Sequence, residues 1–356
     1  MPAVGPGALL VQGSVAWLGP GRVLDDPAVV VRGSRVVYAG PAAGAPEADE
    51  EVAGDWFLMP GAVDHHVHIR LAEPREVLAG GVTSVRDLGW APDDIFELAD
   101  VSQATDFDGP AITAVGPFIT SVGGYPSRAG WCPPGGWIEV RGPEEAVAAV
   151  ERVSALDPAA IKVALNAEAG PTLTDPELLA VCDAAHSREL RVTAHVQGPG
   201  QTERALGAGV DELAHTPWTE RLGADLVAAL ARRMTICSTL DIQSYGRRTP
   251  QLEVALDNLR HIADAGGRIR YGTDLGNGPI PPGIHVREAL HLAAAGLSAE
   301  EVLTAMAAWR LREGAPGDIL ALGGNPLDDL GALGEIRMVI RAGRIRRGPG
   351  RVFGRG

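Results

Sequence analysis

Two histidines separated by a single residue, His66 and His68, close an apolar run that begins at Phe57. In a β-strand, side chains two apart face the same way, so both imidazoles can grip one metal ion. Ligand-type residues recur at the ends of later strand-like runs: Lys162 in Ile161-Lys162-Val163, His195 in Thr193-Ala194-His195, His215 in Ala214-His215-Thr216 and Asp274 in Gly272-Thr273-Asp274. A lone buried histidine is ordinarily a satisfied core residue. Six polar groups aimed at one place are not explained by packing, and their chemistry is that of a metal centre. A thiol nucleophile has less support, because Cys132 is loop-borne without an identifiable histidine partner, and Cys182 and Cys237 fall in apolar runs.

These residues need a scaffold that brings strand ends together. From Phe57 onward, apolar strand-like runs alternate with amphipathic helical runs, the pattern of βα units around a parallel sheet. Eight strands are expected: 57–63, 83–88, 111–116, 160–165, 191–196, 212–216, 235–240 and 268–273, with helices such as 144–156, 176–189 and 224–233 between them. Eight units over roughly 250 residues predict an α/β fold of the closed (β/α)8 TIM-barrel type, whose catalytic residues sit at the C-terminal strand ends. Short β-like runs before residue 56 and after residue 313 predict that the two chain ends pair into one small β-domain. No Gly-x-Gly-x-x-Gly opens a helix after a strand, so a dinucleotide site has no support.

The segment 116–142 is rich in Gly and Pro and holds Tyr125, Arg128, Trp131, Cys132 and Trp137. Following the third strand, it is expected as an irregular loop over the barrel mouth, with its tryptophans packed against something.

Composition narrows the partners. A chain of 356 residues that is 46% hydrophobic can bury a large core. Its net charge of −14 argues against nucleic acid or an anionic membrane and favours a small-molecule substrate. Three scattered cysteines suit a reducing compartment, and no apolar run approaches the roughly 20 residues that span a bilayer, so a cytoplasmic location is expected. A homo-oligomer is compatible with all of this.

Taken in order, the motifs resemble the amidohydrolase superfamily. They are Pro-Gly-x-x-Asp-x-His-x-His at 60–68, Gly-Val-Thr-Ser-Val-Arg-Asp-Leu-Gly at 81–89, Lys162, His195, His215, Gly-Thr-Asp at 272–274, and Pro316-Gly317-Asp318-Ile319-Leu320 with Gly323-Gly324-Asn325-Pro326-Leu327. The resemblance implies a barrel over 57–312 and a flanking β-sandwich built from 1–56 and 313–356. It also implies a binuclear centre: His66, His68 and Asp274 on one ion, His195 and His215 on the other, and Lys162, carboxylated on its amine, bridging the two. An unmodified Lys162 beside a single ion is the alternative. The His-rich set favours Zn2+, while its mixed N and O donors also admit Mn2+, Fe2+ or Co2+. The implied reaction is attack on a carbonyl by a metal-bridging hydroxide, with Asp274 as base and then acid toward the leaving nitrogen.

Within the superfamily the chain looks most like the branch of Xaa-Pro dipeptidases and imidazolonepropionase-like proteins, on the Gly-Val-Thr-x-Val-Arg-Asp segment, the turn after His195, and the placing of His215 twenty residues later. Where that branch often shows Gly-Gly-His, this chain has Gly123-Gly124-Tyr125. Tyr125 is therefore either a donor to a developing oxyanion or a loop tyrosine packed on Trp131 or Trp137; both it and Trp131 are candidate substrate contacts. The implied substrate is a dipeptide, an N-acyl amino acid or a cyclic amide. Arg128, Arg247, Arg248 and Arg287 are the cations available for a substrate carboxylate. His285, His186, His261 and His291 are expected at the surface, and Arg86 and Asp87 are expected to orient the first-strand ligands. A deaminase, or a lactone or phosphoester hydrolase, is the rival chemistry. Gln197 and Gly198 after His195 weaken the deaminase reading, and a metal-binding protein without catalysis is the remaining alternative.

Overall fold

The computed structural model describes residues 7–348, so the outermost positions of the expected end segments 1–56 and 313–356 lie outside it. Residues 62–270 are α/β with parallel strands throughout. A seven-stranded sheet runs in the order Trp137–Val140, Phe118–Ser121, Ile161–Asn166, Val192–Gln197, Glu212–Leu213, Thr235–Cys237 and Arg268–Arg270. A three-stranded parallel sheet holds Ala62–Val67, Val82–Asp87 and Ala111–Ala114. Backbone hydrogen bonds run from Ala62–Val67 to the segment after Arg268–Arg270: His65 N to Tyr271 O at 3.0 Å, Asp274 N to His66 O at 2.8 Å and His68 N to Leu275 O at 2.7 Å. At the opposite edge Ala159 N donates to Ala114 O at 2.8 Å.

Every residue of Ile161–Asn166 is buried, as befits a parallel strand covered on both faces. Helices fill the gaps, and their starts are legible in the chain: Asp175–His186 opens on a capping box between Thr174 and Glu177.

The expected strand 57–63 is two strands in two sheets. Phe57–Pro60 pairs with Ile319–Leu322 and Val15–Gly19, and only Ala62–Val67 joins the three-stranded parallel sheet. Gly61 is the joint, since a Cβ there would stand 2.1 Å from Thr83 Oγ1. The two chain ends do pair: a six-stranded sheet combines Val15–Gly19, Arg22–Asp25 and Phe57–Pro60 with Ile319–Leu322, Ile336–Arg341 and Arg344–Arg347. A four-stranded sheet of N-terminal strands sends Leu9, Val11, Val29 and Val31 into the same apolar cluster as Leu58, Ile319 and Ile340 of the six-stranded one. Segment 116–142 is less irregular than expected, because Phe118–Ser121 and Trp137–Val140 pair in parallel within it. Among the described residues no helix is long and apolar enough to cross a membrane.

Candidate active site

Three late strands end earlier than the apolar runs suggest, at Leu213, Cys237 and Arg270. The residues beyond them leave extended geometry. Thr239 and Asp274 have φ of 42° and 58°, a region costly for residues with a Cβ and often reserved for functional positions. This bend turns Asp274 toward the first strand.

There His66 Nε2 and His68 Nε2 lie 3.2 and 3.3 Å from Asp274 Oδ1. All three residues are buried, and their ligand atoms fall within 4.8 Å of one another. Oδ1 nevertheless has no partner of hydrogen-bond geometry. The ring nitrogens on the far side are committed: His66 Nδ1 donates to Ala214 O at 2.7 Å and His68 Nδ1 to Gly89 O at 3.1 Å. Those bonds fix the tautomer and leave both Nε2 lone pairs aimed at one point, the usual outer support of a metal-binding imidazole. Asp274 Oδ2 is held by Asn277 Nδ2 at 2.9 Å.

Across the cavity, His195 Nδ1 and His215 Nε2 approach to 2.9 Å. Asn166 Nδ2, which can only donate, meets His195 Nε2 at 3.3 Å. His195 Nδ1 must then donate to His215 Nε2, and His215 Nδ1 to Thr239 Oγ1 at 2.9 Å. Lys162 is fully buried and its Nζ has no hydrogen-bond partner. Burial pushes the amine down to about 7, against the pull of Asp274 and with help from Arg86.

The donor set passes the test for a metal. Two imidazole lone pairs and a carboxylate oxygen converge without bonding one another, an orphaned amine stands beside them, and a second imidazole pair faces itself. Nitrogen and oxygen donors of this kind suit divalent ions of the zinc type.

The six ligand-type residues line one cavity of about 480 Å3 together with Tyr125 and Trp131. Tyr125 stacks on His195 with ring centroids 4.8 Å apart and sits 6.3 Å from Trp131, and Trp131 lies 4.6 Å from His68. Burial raises the Tyr125 phenol well above its ordinary value, so it stays protonated. Sequence reading missed Phe118, Asn166, Trp218, Gln243 and Asn277, which also line the cavity. Asn166, Trp218 and Asn277 fall within a few residues of strand ends, which was the available signal.

Other expectations need correction. None of Arg128, Arg247, Arg248 or Arg287 lines the cavity; Arg287 instead pairs with Asp241 at 2.9 Å. His285 is buried, not at the surface, and bonds Asp241 Oδ2 at 2.6 Å, while His291 reaches Asp241 Oδ1 at 3.2 Å. A carboxylate on the neighbouring segment drew both inward, and spacing alone does not reveal it. Arg86 and Asp87 hold the first strand through the backbone beside its histidines: Arg86, which also pairs with Glu212, donates from Nε to His65 O at 3.0 Å, and Asp87 accepts from Ile69 N at 2.8 Å and Gly89 N at 3.0 Å. Asp64 accepts from His66 N at 3.0 Å, Thr273 N at 3.1 Å and Thr273 Oγ1 at 2.5 Å, tying the first strand to the turn that presents Asp274.

A parallel α/β scaffold presenting a His-His-Asp group beside a buried lysine defines the class of metal-dependent hydrolases. The chain belongs to the amidohydrolase family, whose model matches residues 57–308. It is similar to a Xaa-Pro dipeptidase structure with bound methionine at TM-score 0.82 and 20% identity, over 96% of this chain and 100% of that one. A prolidase candidate from Bifidobacterium longum matches at TM-score 0.81 and 28% identity, over 98% and 97%. Among curated sequences, imidazolonepropionase of Arthrobacter sp. (strain FB24) is 51% identical over 55 residues, 15% of this chain and 14% of that protein. The corresponding enzyme of Micrococcus luteus is 39% identical over 92 residues, 22% and 23% of the two chains. The alignments thus span less than a quarter of those enzymes. An uncharacterised Mycobacterium tuberculosis (strain H37Rv) protein aligns at 28% identity over 92% of this chain and 90% of its own length.

Proposed function

We propose that the protein hydrolyses an amide bond in a small molecule at a binuclear metal centre. His66, His68 and Asp274 would hold one divalent ion, His195 and His215 a second, and Lys162, carboxylated on its amine, would supply an anionic oxygen ligand to them. When bound, the ions, with zinc favoured by the donor set, polarise a carbonyl and make water nucleophilic near neutral pH. Asp274 would take the water proton and deliver it to the leaving nitrogen, the acid–base role open to a carboxylate beside the metal. Tyr125, protonated and at the cavity wall, donates to the oxygen that gains charge on the carbonyl. Trp131 packs against the substrate. The observation that carries this reading is the approach of two imidazole Nε2 atoms to one Asp274 oxygen without hydrogen-bond geometry, beside an unpartnered Lys162 amine.

The scaffold in this reading is a (β/α)8 barrel over 57–312, closed by the backbone bonds at His65, His68 and Asp274, with Phe57–Pro60 given over to the flanking sheets. Residues 1–56 and 313–356 supply a β-sandwich, supported by the shared apolar cluster of the two sheets. A cytoplasmic setting goes with this reading. The deaminase alternative gains nothing, because Gln197, which follows His195, is tied to Asn166 and Glu168 and offers no acid.

The test is amine release from amides by zinc-loaded protein. Asp274→Asn should lower turnover by at least about 100-fold; a variant as active as the parent would remove the proposed acid–base group.

A further inference from the structure

The cavity that holds the ligand residues has an unusual wall. Among the described residues, its one lysine or arginine is Lys162, which the metal reading already uses. Of the arginines around the mouth, Arg287 turns to Asp241, Arg70 to Asp94 and Arg248 toward Glu253, while Arg128 and Arg247 are exposed and lie outside the cavity wall. Outside the ligand-type set, the polar groups of the wall are uncharged: the Tyr125 hydroxyl, the indole N–H groups and the amides of Asn166, Gln197, Gln243 and Asn277. Gln197 is pinned by the Glu168 carboxylate at 2.7 Å, which adds negative charge at the rim. A substrate carboxylate placed away from the metals would meet no cation here, and desolvating it unpaired is costly.

The apolar part of the wall is aromatic and flanks both imidazole pairs. Trp131 lies 4.6 Å from His68, Tyr125 4.8 Å from His195, and Trp218 5.5 Å from His215, with Phe118 6.1 Å from Trp131. Four rings around about 480 Å3 suit a flat ring system and leave room for a two-part molecule of drug-fragment size.

We infer that the substrate is an uncharged N-aryl amide rather than a dipeptide or N-acyl amino acid. This rests on the amide-hydrolase reading above and names its substrate class. In the reaction the acyl–nitrogen bond breaks, the water oxygen bonds the acyl carbon, and the aryl nitrogen leaves as a neutral arylamine. The balancing proton comes from that water by way of Asp274. The aryl ring sits among Trp131, Tyr125 and Trp218, and the wall amides meet the uncharged carbonyl and N–H.

Two readouts on zinc-loaded, full-length protein test this. Binding of 4-nitroacetanilide and of 4-acetamidobenzoate is followed by quenching of tryptophan fluorescence, and hydrolysis of both, and of glycyl-proline, by amine release. The neutral anilide should bind at least about tenfold more tightly than its carboxylate counterpart, and should be hydrolysed in preference to glycyl-proline. Trp218→Ala should lose that binding at least about tenfold, with Trp218→Phe retaining most of it. Equal or tighter binding of the carboxylate compound, or preferred cleavage of glycyl-proline, would overturn the inference while leaving amide hydrolysis intact. Tight binding of the neutral anilide with no cleavage of any amide would instead sink the hydrolase reading and keep the pocket's preference.

Discussion

His195 Nδ1 stands 2.9 Å from His215 Nε2, and His215 is held in place from behind by Thr239 Oγ1, also at 2.9 Å. His195 lies on Val192–Gln197, and His215 lies two residues past Glu212–Leu213, the strand paired with it. Thr239 reaches His215 because its backbone takes the left-handed conformation just past Thr235–Cys237. The hydroxyl therefore determines which nitrogen of His215 faces the cavity.

Replacing Thr239 by Val keeps the shape and removes that bond. Zinc affinity should fall by about 10–100-fold, the usual consequence of losing an outer partner of a ligand histidine. Competition with a chromophoric chelator measures it. Unchanged affinity would mean that His215 is oriented by packing alone.

Asp64 couples the first strand to the turn bearing Asp274 through His66 N and both donors of Thr273. Asp64→Ala orphans three buried donors, each worth about 1–3 kcal/mol when left unsatisfied. Chemical denaturation should show a loss of at least about 3 kcal/mol, with weakened metal retention. A loss under about 1 kcal/mol would show that water replaces the carboxylate.

At the other end of the strands, buried Glu212 pairs with Arg86 and with Arg270 at 3.2 Å. Burial pushes this carboxyl up, but the two guanidiniums outweigh it and hold its pKa below the ordinary value. A depressed carboxylate stabilises the fold above its unfolded pKa of about 4.3. That contribution is lost as pH falls through the folded value. Glu212→Gln should cost about 1–3 kcal/mol at pH 7, since it leaves two half-buried guanidiniums without their counter-charge. The deficit should shrink toward pH 3 in thermal melts, and a deficit independent of pH would refute the ion-pair account.

Asp241 gathers His285, Arg287 and His291, and Ile242 and Gln243 beside it line the cavity. Asp241→Ala should release segment 241–248 locally, seen as faster amide hydrogen exchange there with the parallel strands unchanged. Uniform loss of protection would instead assign Asp241 to global stability.

That the six ligand-type residues share one cavity was legible because they are polar residues in apolar runs, and parallel strands bring run ends together whatever the loops do. Strand ends were read too long at 216, 240 and 273 because the chain stays apolar or β-branched where it bends, and only the backbone conformation at Thr239 and Asp274 marks the change. The split of 57–63 was hidden for a related reason: both halves are apolar, and Gly61 permits a switch between sheets without a break in hydrophobicity. His285 was misplaced because its partner Asp241 is 44 residues away in the chain. Phe118 and Trp218 carry no chemistry of their own in the sequence, and their value appears only once His68 and His215 are beside them.

The central claim is a two-ion centre bridged through Lys162. Elemental analysis of protein produced with excess zinc and bicarbonate tests it most directly, run on the parent and on Lys162→Ala. The account predicts about two ions per chain in the parent and about one or fewer in the variant, with recovery on adding a short carboxylic acid. A parent that holds no zinc, or a variant that still holds two ions without added acid, would contradict it.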